Sequence, residues 1–163
     1  MKRLTILKRS RLPIDYTKLY DERSFFQAFS EDFKSAKHEV IIESPYITVR
    51  RSKELSFLCK KLVKRGVNVI VYTRNPEHHE HALRYQSYEG LEILRMAGVK
   101  TKICNDMRHR KIASIDRKIL WEGSLNMLSQ SNSKEIMRRT ESSELCIQML
   151  KFAGLVGIFN ARV

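Results

Sequence analysis

Apolar positions along the chain fall into two alternating periods, and the alternation predicts a succession of helices and strands. Phe25, Phe26, Phe29 and Phe33 recur at helical spacing, and Asp21 or Ser24 can cap a helix running to about Lys37. This phenylalanine stripe reads as core rather than as a platform for stacking bases. The apolar run over residues 40–42 suits a buried strand, stopped by Pro45. Residues 52–65 predict a second helix, with Leu55, Leu58, Leu62 and Val63 facing inward and Gly66 just past its end. Residues 67–72 predict a second strand. Residues 86–97 predict a third helix on Leu91, Ile93, Leu94 and Met96, ended by Gly98, and residues 99–104 a third strand. Residues 110–116 and 118–122 then read as two strands joined by a turn, and residues 143–149 as a last strand.

The segments KRGVNVIVY and RMAGVKTKI share one logic: a basic helix end meets glycine, and a strand rich in β-branched residues follows. Helix-to-strand alternation of this kind marks an α/β fold with a mainly parallel central sheet. Residues 1–16, interrupted by Pro13, read as an irregular or edge segment, and residues 1–163 as a single domain. No linker, repeat or low-complexity tract divides them.

Charge changes this picture from a fold to a set of partners. The net charge is +13 and the pI about 9.9, more than solubility alone asks for. Polyanions are the natural partners, nucleic acid first (DNA, or RNA) and anionic lipid second. Basic clusters lie at residues 2–11, 50–53 and 60–65, at Arg138 and Arg139, and around residues 108–118. The stretch over residues 145–159 is fairly apolar, but Lys151 interrupts it, so core or interface is the expectation and not a membrane anchor. Cys59, Cys104 and Cys146 cannot all pair within one chain. They read as reduced, mostly buried thiols in a cytoplasmic setting, without metal-ligand spacing.

Candidate chemistry concentrates in MRHRKIASIDRKILWEGSLN, residues 107–126. His109, Lys111 and Asp116 stand in the spacing H-x-K-x4-D, and Gly123, Ser124 and Asn126 follow as G-S-x-N. A histidine can attack or carry a proton near neutral pH. A lysine sets a point charge against developing negative charge. A hydroxyl and a side-chain amide can donate to non-bridging phosphate oxygens.

This pattern resembles the HKD motif of the phospholipase D superfamily, with all six motif positions matched. The resemblance implies an α/β/α sandwich and a metal-independent phosphodiesterase or nuclease that needs no cofactor. His109 would form a phosphohistidine, Lys111, Ser124 and Asn126 would cradle the phosphate, and Asp116 and Gly123 would support the local geometry. A glutamate after G-S-x-N would hold the histidine's second nitrogen. Glu144 suits the family's placement at a strand start, Glu135 suits its spacing, and Glu141 stands behind both. The family chemistry uses two motifs and this sequence has one, so the resemblance implies a homodimer with a composite site. A place within a larger helicase or restriction protein, a non-catalytic DNA-binding module and a phospholipid phosphodiesterase are the competing expectations.

Three features remain. Arg108 and Arg110 flank the motif histidine and are candidate nucleic-acid contacts. Tyr46, after the first predicted strand, could stack on a base or sugar or serve as half-buried packing. His78-His79-Glu80-His81 resembles a metal-binding tract but reads better as a polar loop near the substrate groove.

Overall fold

The structure, a computed structural model, describes residues 17–129 and 133–155. The elements in order are β1 (Thr17–Asp21), α1 (Phe25–Ser35), β2 (Glu39–Glu43), α2 (Val49–Lys64), β3 (Asn68–Arg74), α3 (His81–Met96), β4 (Lys100–Cys104), β5 (Ile112–Ile115), β6 (Ile119–Gly123), β7 (Ile136–Glu141) and α4 (Ser143–Phe152). A short 3-10 turn over Pro76–His78 precedes α3. The strands form one seven-stranded sheet in the order β1-β7-β6-β5-β2-β3-β4.

Alternation along the strands divides the core in two. Val40, Ile42, Val69, Val71, Ala113, Ile115 and Trp121 face α1, α2 and α3. Ile41, Ile70, Tyr72, Ile112 and Leu120 face α4. The α/β/α layering expected of the sequence is therefore present, three helices against one. On the three-helix face the phenylalanines of α1 pack as core. Phe25 meets the Trp121 ring edge-on at 5.2 Å between centroids. The buried indole N–H donates to Asp32 at 2.8 Å, and Arg139 holds the same carboxylate at 2.7 Å. The buried polar atoms of this cluster are thereby matched.

The expected sheet direction needs correction. Only the β2–β3 and β3–β4 ladders are parallel; β2–β5, β5–β6, β6–β7 and β7–β1 are antiparallel. The helical crossovers after β2 and β3 enforce the parallel half. The tight turn at Asp116 and Arg117, both at φ 51°, reverses the chain and starts the antiparallel half.

The predicted strand over residues 143–149 is helix α4. Ser142 accepts from the Leu145 N–H at 3.2 Å, Glu144 lies in the first turn and Lys151 in the last. Cys146 and Leu150, four apart, are the buried pair. Capping and charge placement favour the helix, and a short apolar run alone does not separate the two outcomes. Strand β7, absent from the sequence reading, carries Arg138 and Arg139 out of their supposed basic patch. Arg138 pairs with Glu122 and Arg139 with Asp32 and Glu141. The expected irregular segment at 1–16 lies outside the described residues. No helix among the described residues is long and apolar enough to cross a membrane. Cys59 and Cys146 are buried and Cys104 half-buried, all three free; burial pushes the Cys59 thiol up to about 12 and Cys146 up to about 11.

Candidate active site

His109, Lys111, Gly123, Ser124 and Asn126 meet at one end of the sheet's strands, where β2 and β3 end, β5 begins and β6 hands over to β7. Three local features hold the strands that carry them. First, Asp116 closes the far end of β5: its carboxylate accepts from the backbone N–H groups of Lys37, His38 and Glu39 at 2.9, 2.8 and 2.9 Å. Burial alone would raise its pKa, but these bonds outweigh it and hold the carboxyl below its ordinary value. Asp116 thus ties the β5–β6 turn to the start of β2, far from the reacting groups.

Second, Gly123 lets β6 lie close against β7. A Cβ there would stand 2.1 Å from the Ile136 carbonyl oxygen and 2.9 Å from Met137 Cα. Those are backbone atoms, so no side-chain adjustment makes room. Third, Ser124 is locked to β7. Its N–H donates to the Ile136 carbonyl at 2.9 Å, and its hydroxyl oxygen accepts from the Ile136 N–H at 3.1 Å.

His109 and Lys111 sit two residues apart on the strand-like approach to β5 and so point the same way. The Lys111 ammonium lies 2.7 Å from His109 Nδ1 and donates to the His109 carbonyl at 2.7 Å. Lys111 is 8% exposed. Burial, then Lys111 and Arg74, push the His109 pKa below its ordinary value. This favours the neutral imidazole, the form a histidine nucleophile needs. Burial likewise lowers the Lys111 pKa, opposed by the Glu135 charge.

Glu135 is the glutamate that the structure brings to this group. Its carboxylate bonds Ser124 and Ser133, and its charge reaches Lys111. Its hydrogen bonds go to these hydroxyls rather than to His109. Glu144 stands exposed on the first turn of α4, and Glu141 pairs with Arg139 at 3.5 Å. Neither belongs to the cluster. Asn126 follows Ser124, and its Oδ1 is buried with no hydrogen-bond partner.

Arg108 and Arg110 alternate with the motif residues and turn away from them. Both pair with the fully buried Glu43, at 3.6 and 3.1 Å, and Arg110 also donates to the Ala153 carbonyl at 2.9 Å. Arg108 is further held by Asp106 at 2.7 Å. Arg110 thereby ties this end of the strands to the C-terminus of α4 and also lines the groove beside Lys111 and Ser124. Burial raises the Glu43 pKa against the pull of its arginines.

Tyr46 stands in the site. Its ring is 5.7 Å from the His109 ring, edge-on, and 5.1 Å from His79. Arg74, at the end of β3, was not singled out by the sequence, where it is one arginine among many. It is 8% exposed, donates to the Arg108 carbonyl at 3.1 Å and the Met107 carbonyl at 3.4 Å, and lies 5.5 Å from the Tyr46 ring centroid. The His78–His81 tract forms the turn and helix start beside Tyr46. Among the described residues no group of three or more His, Cys, Asp and Glu is placed to hold a metal ion.

The family model described as the PLD-like domain of cardiolipin synthase matches residues 29–154. No curated protein matches significantly. Among solved structures, Nuc, a phospholipase D family member from Salmonella typhimurium, superposes with a TM-score of 0.70 at 15% identity, covering 83% of this chain and 90% of that one. NucT from Helicobacter pylori gives 0.64 at 21% identity, covering 85% and 93%. Phosphatidylserine synthase from Haemophilus influenzae gives 0.68 at 15%, covering 86% of this chain and 38% of its own. At these identities the superpositions establish the shared fold, and with the matched domain model they make this chain a member of the phospholipase D superfamily of phosphodiesterases.

Proposed function

We propose that the protein is a metal-independent nuclease that cleaves DNA through a phosphohistidine, as a homodimer with a composite site. The observation that carries this reading is the meeting of His109, buried Lys111, Ser124 and Asn126, whose Oδ1 is buried without a partner, at one end of the strands. The imidazole lone pair of His109 attacks phosphorus and a P–N bond forms. The P–O bond to the leaving oxygen breaks, its electron pair goes to that oxygen, and a second copy's His109, which enters the step protonated while the attacking one is neutral, donates the proton. Water then adds to phosphorus, gives its proton to that second histidine, and the P–N bond breaks. Lys111 balances charge on the non-bridging oxygens and the Asn126 side-chain N–H donates to them, while the Ser124 hydroxyl proton goes to Glu135. Glu135 holds Ser124 and offsets the Lys111 charge.

A DNA substrate suits the net charge of +13. A second copy suits a groove of about 710 Å³ that runs from Lys111, Gly123 and Ser124 along the uncovered side of β6, β7 and β1. Leu19, Ile136 and Phe152, exposed at 65%, 60% and 82%, line it. An apolar face beginning at the site is where a twofold partner could bring its own histidine close. The same apolar lining would also accept acyl chains, which keeps phospholipid as the second reading.

The test is cleavage of labelled single- and double-stranded DNA in excess EDTA, by wild type and His109→Ala, with sedimentation to measure mass. EDTA-resistant cleavage by a dimer, lost in His109→Ala, is the expected result. Hydrolysis of phosphatidylglycerol vesicles without DNA cleavage would move the substrate to lipid. DNA binding without cleavage of either substrate would leave a binding module. A fully active monomer would refute the composite site.

A further inference from the structure

A basin of about 700 Å³ beside the site takes no part in the chemistry above; Tyr46, Arg74, His78, His79, Glu80 and His81 are among its lining. Tyr46 is the part of its lining that also touches the site, its ring 5.7 Å from that of His109 and 5.1 Å from that of His79. The N-terminus of α3 is another part of the lining. Glu80, in the capping position, makes no side-chain cap hydrogen bond. The first-turn N–H groups, at the positive end of a sixteen-residue helix, are therefore open to an outside acceptor.

A helix end alone says little, and His79 supplies the independent observation. Its side chain is 6% exposed. One ring nitrogen donates to the Pro45 carbonyl, and the other, Nε2, is buried with no hydrogen-bond partner. Buried polar atoms are matched in folded proteins, and an exception at the wall of a basin points to a ligand. Arg74 adds a buried cation against the same wall. Glu80 is the sole carboxylate of the lining among the described residues, and it is exposed. Nearby Glu77 is committed to Arg84 and Tyr88.

We propose that this basin is an anion subsite that takes a phosphate of the substrate strand next to the scissile diester. The proposal rests on the nuclease reading and adds to it where the strand continues. Tyr46 then lies near two phosphates, one at His109 and one at the α3 N-terminus. The bound phosphate accepts from first-turn N–H groups and from His79. Burial, and then Arg74, disfavour the protonated form of His79. An anion facing His79 reverses that balance and brings a proton with it.

Two variants separate the subsite from the fold. Ala82→Asp places a carboxylate on an exposed first-turn residue lining the basin; it favours the helix and repels a phosphate. His79→Gln keeps a polar side chain without the imidazole. In the first arm, inorganic phosphate is titrated into the whole chain while NMR follows the His79 ring, the His109 ring and the Ala82 and Leu83 amides. His79 and both amides are expected to shift saturably, and Ala82→Asp to weaken that binding at least tenfold while the His109 response persists. In the second arm, single-stranded oligonucleotides carry one uncharged methylphosphonate linkage. Wild type is expected to lose cleavage at one fixed offset from that linkage, and both variants to restore it. Resonances of His79 and the amides that do not move would overturn the subsite. So would a wild-type cleavage map with no fixed-offset loss, or a loss unchanged in both variants. Saturable phosphate binding at His79 with no cleavage of any nucleic acid would uphold the anion site and remove the nuclease reading.

Discussion

Asp116 belongs to the motif yet touches no reacting group, so its replacement separates support from chemistry. Its Oδ1 accepts from the His38 and Glu39 N–H groups and its Oδ2 from Lys37, at 2.8, 2.9 and 2.9 Å. Asp116→Ala removes all three bonds. The Glu39 donor is part-buried and the other two are exposed, so water replaces some of the loss. At about 1 kcal/mol for each bond, the loss is about 3 kcal/mol. Asp116→Asn keeps an acceptor at the Oδ1 position and tolerates the φ of 51°, so it loses the Lys37 bond and about 1 kcal/mol. Urea unfolding with the slope held common gives both values. The native carboxyl has a pKa below its unfolded value. Its stabilisation is therefore complete above the unfolded pKa and disappears as pH falls through the folded one. Asp116→Asn should flatten that acid loss. Its kcat, measured where it is fully folded, should stay within about threefold of wild type, because the carboxylate supports and does not react. Equal destabilisation by Ala and Asn, or a kcat collapse in folded Asp116→Asn, would refute this reasoning.

Gly123→Ala should cost about 3 kcal/mol, from backbone overlap and the strained Ser124–Ile136 bonds, read as a lower urea midpoint; wild-type stability would mean that β6 and β7 separate at no cost. The acid limb of kcat/KM should lie below the ordinary histidine pKa of about 6.5, since His109 is depressed by burial, Lys111 and Arg74. Activity should fall as pH drops through that value, and Arg74→Met should move the limb upward; a limb that stays in place while only kcat falls would reduce Arg74 to holding the 107–108 loop. Asp32→Ala should cost about 3 kcal/mol by leaving the Trp121 N–H and the Arg139 guanidinium without their shared carboxylate, with Asp32→Asn recovering part of it in the same unfolding assay.

Much of the fold was legible because local and tertiary demands agreed. The stripe of α1 and the buried runs of β2 and β3 read correctly from period alone, since one face or both had to be apolar. Helices α2 and α3 were found, but begin at Val49 and His81, several residues before their apolar periodicity. Their first turns are mostly polar and held by ion pairs, Arg51 with Glu54 in α2 and Arg84 with Glu77 at the start of α3. The end of the chain misled: α4 carries apolar residues on its exposed face too, Ile147 and Phe152 among them, which blurs its helical period. Strand β7 looked like a basic surface because its arginines are matched by Asp32 and Glu122, distant in sequence.

By itself the sequence determined the α/β class, the motif and the family, because periodicity and motif spacing are local properties. Through the resemblance it also implied that Asp116 and Gly123 support rather than react. Only the tertiary structure decided strand direction, since parallel and antiparallel ladders bury the same alternating residues. Only it favoured Glu135 over Glu144, by seating the first near Ser124 and Lys111 and the second on an exposed helix turn. Only it drew Arg108 and Arg110 onto Glu43 and set Arg74 and His79 around Tyr46. Charge pairing and burial depend on distances across the chain, and no spacing along the sequence records them.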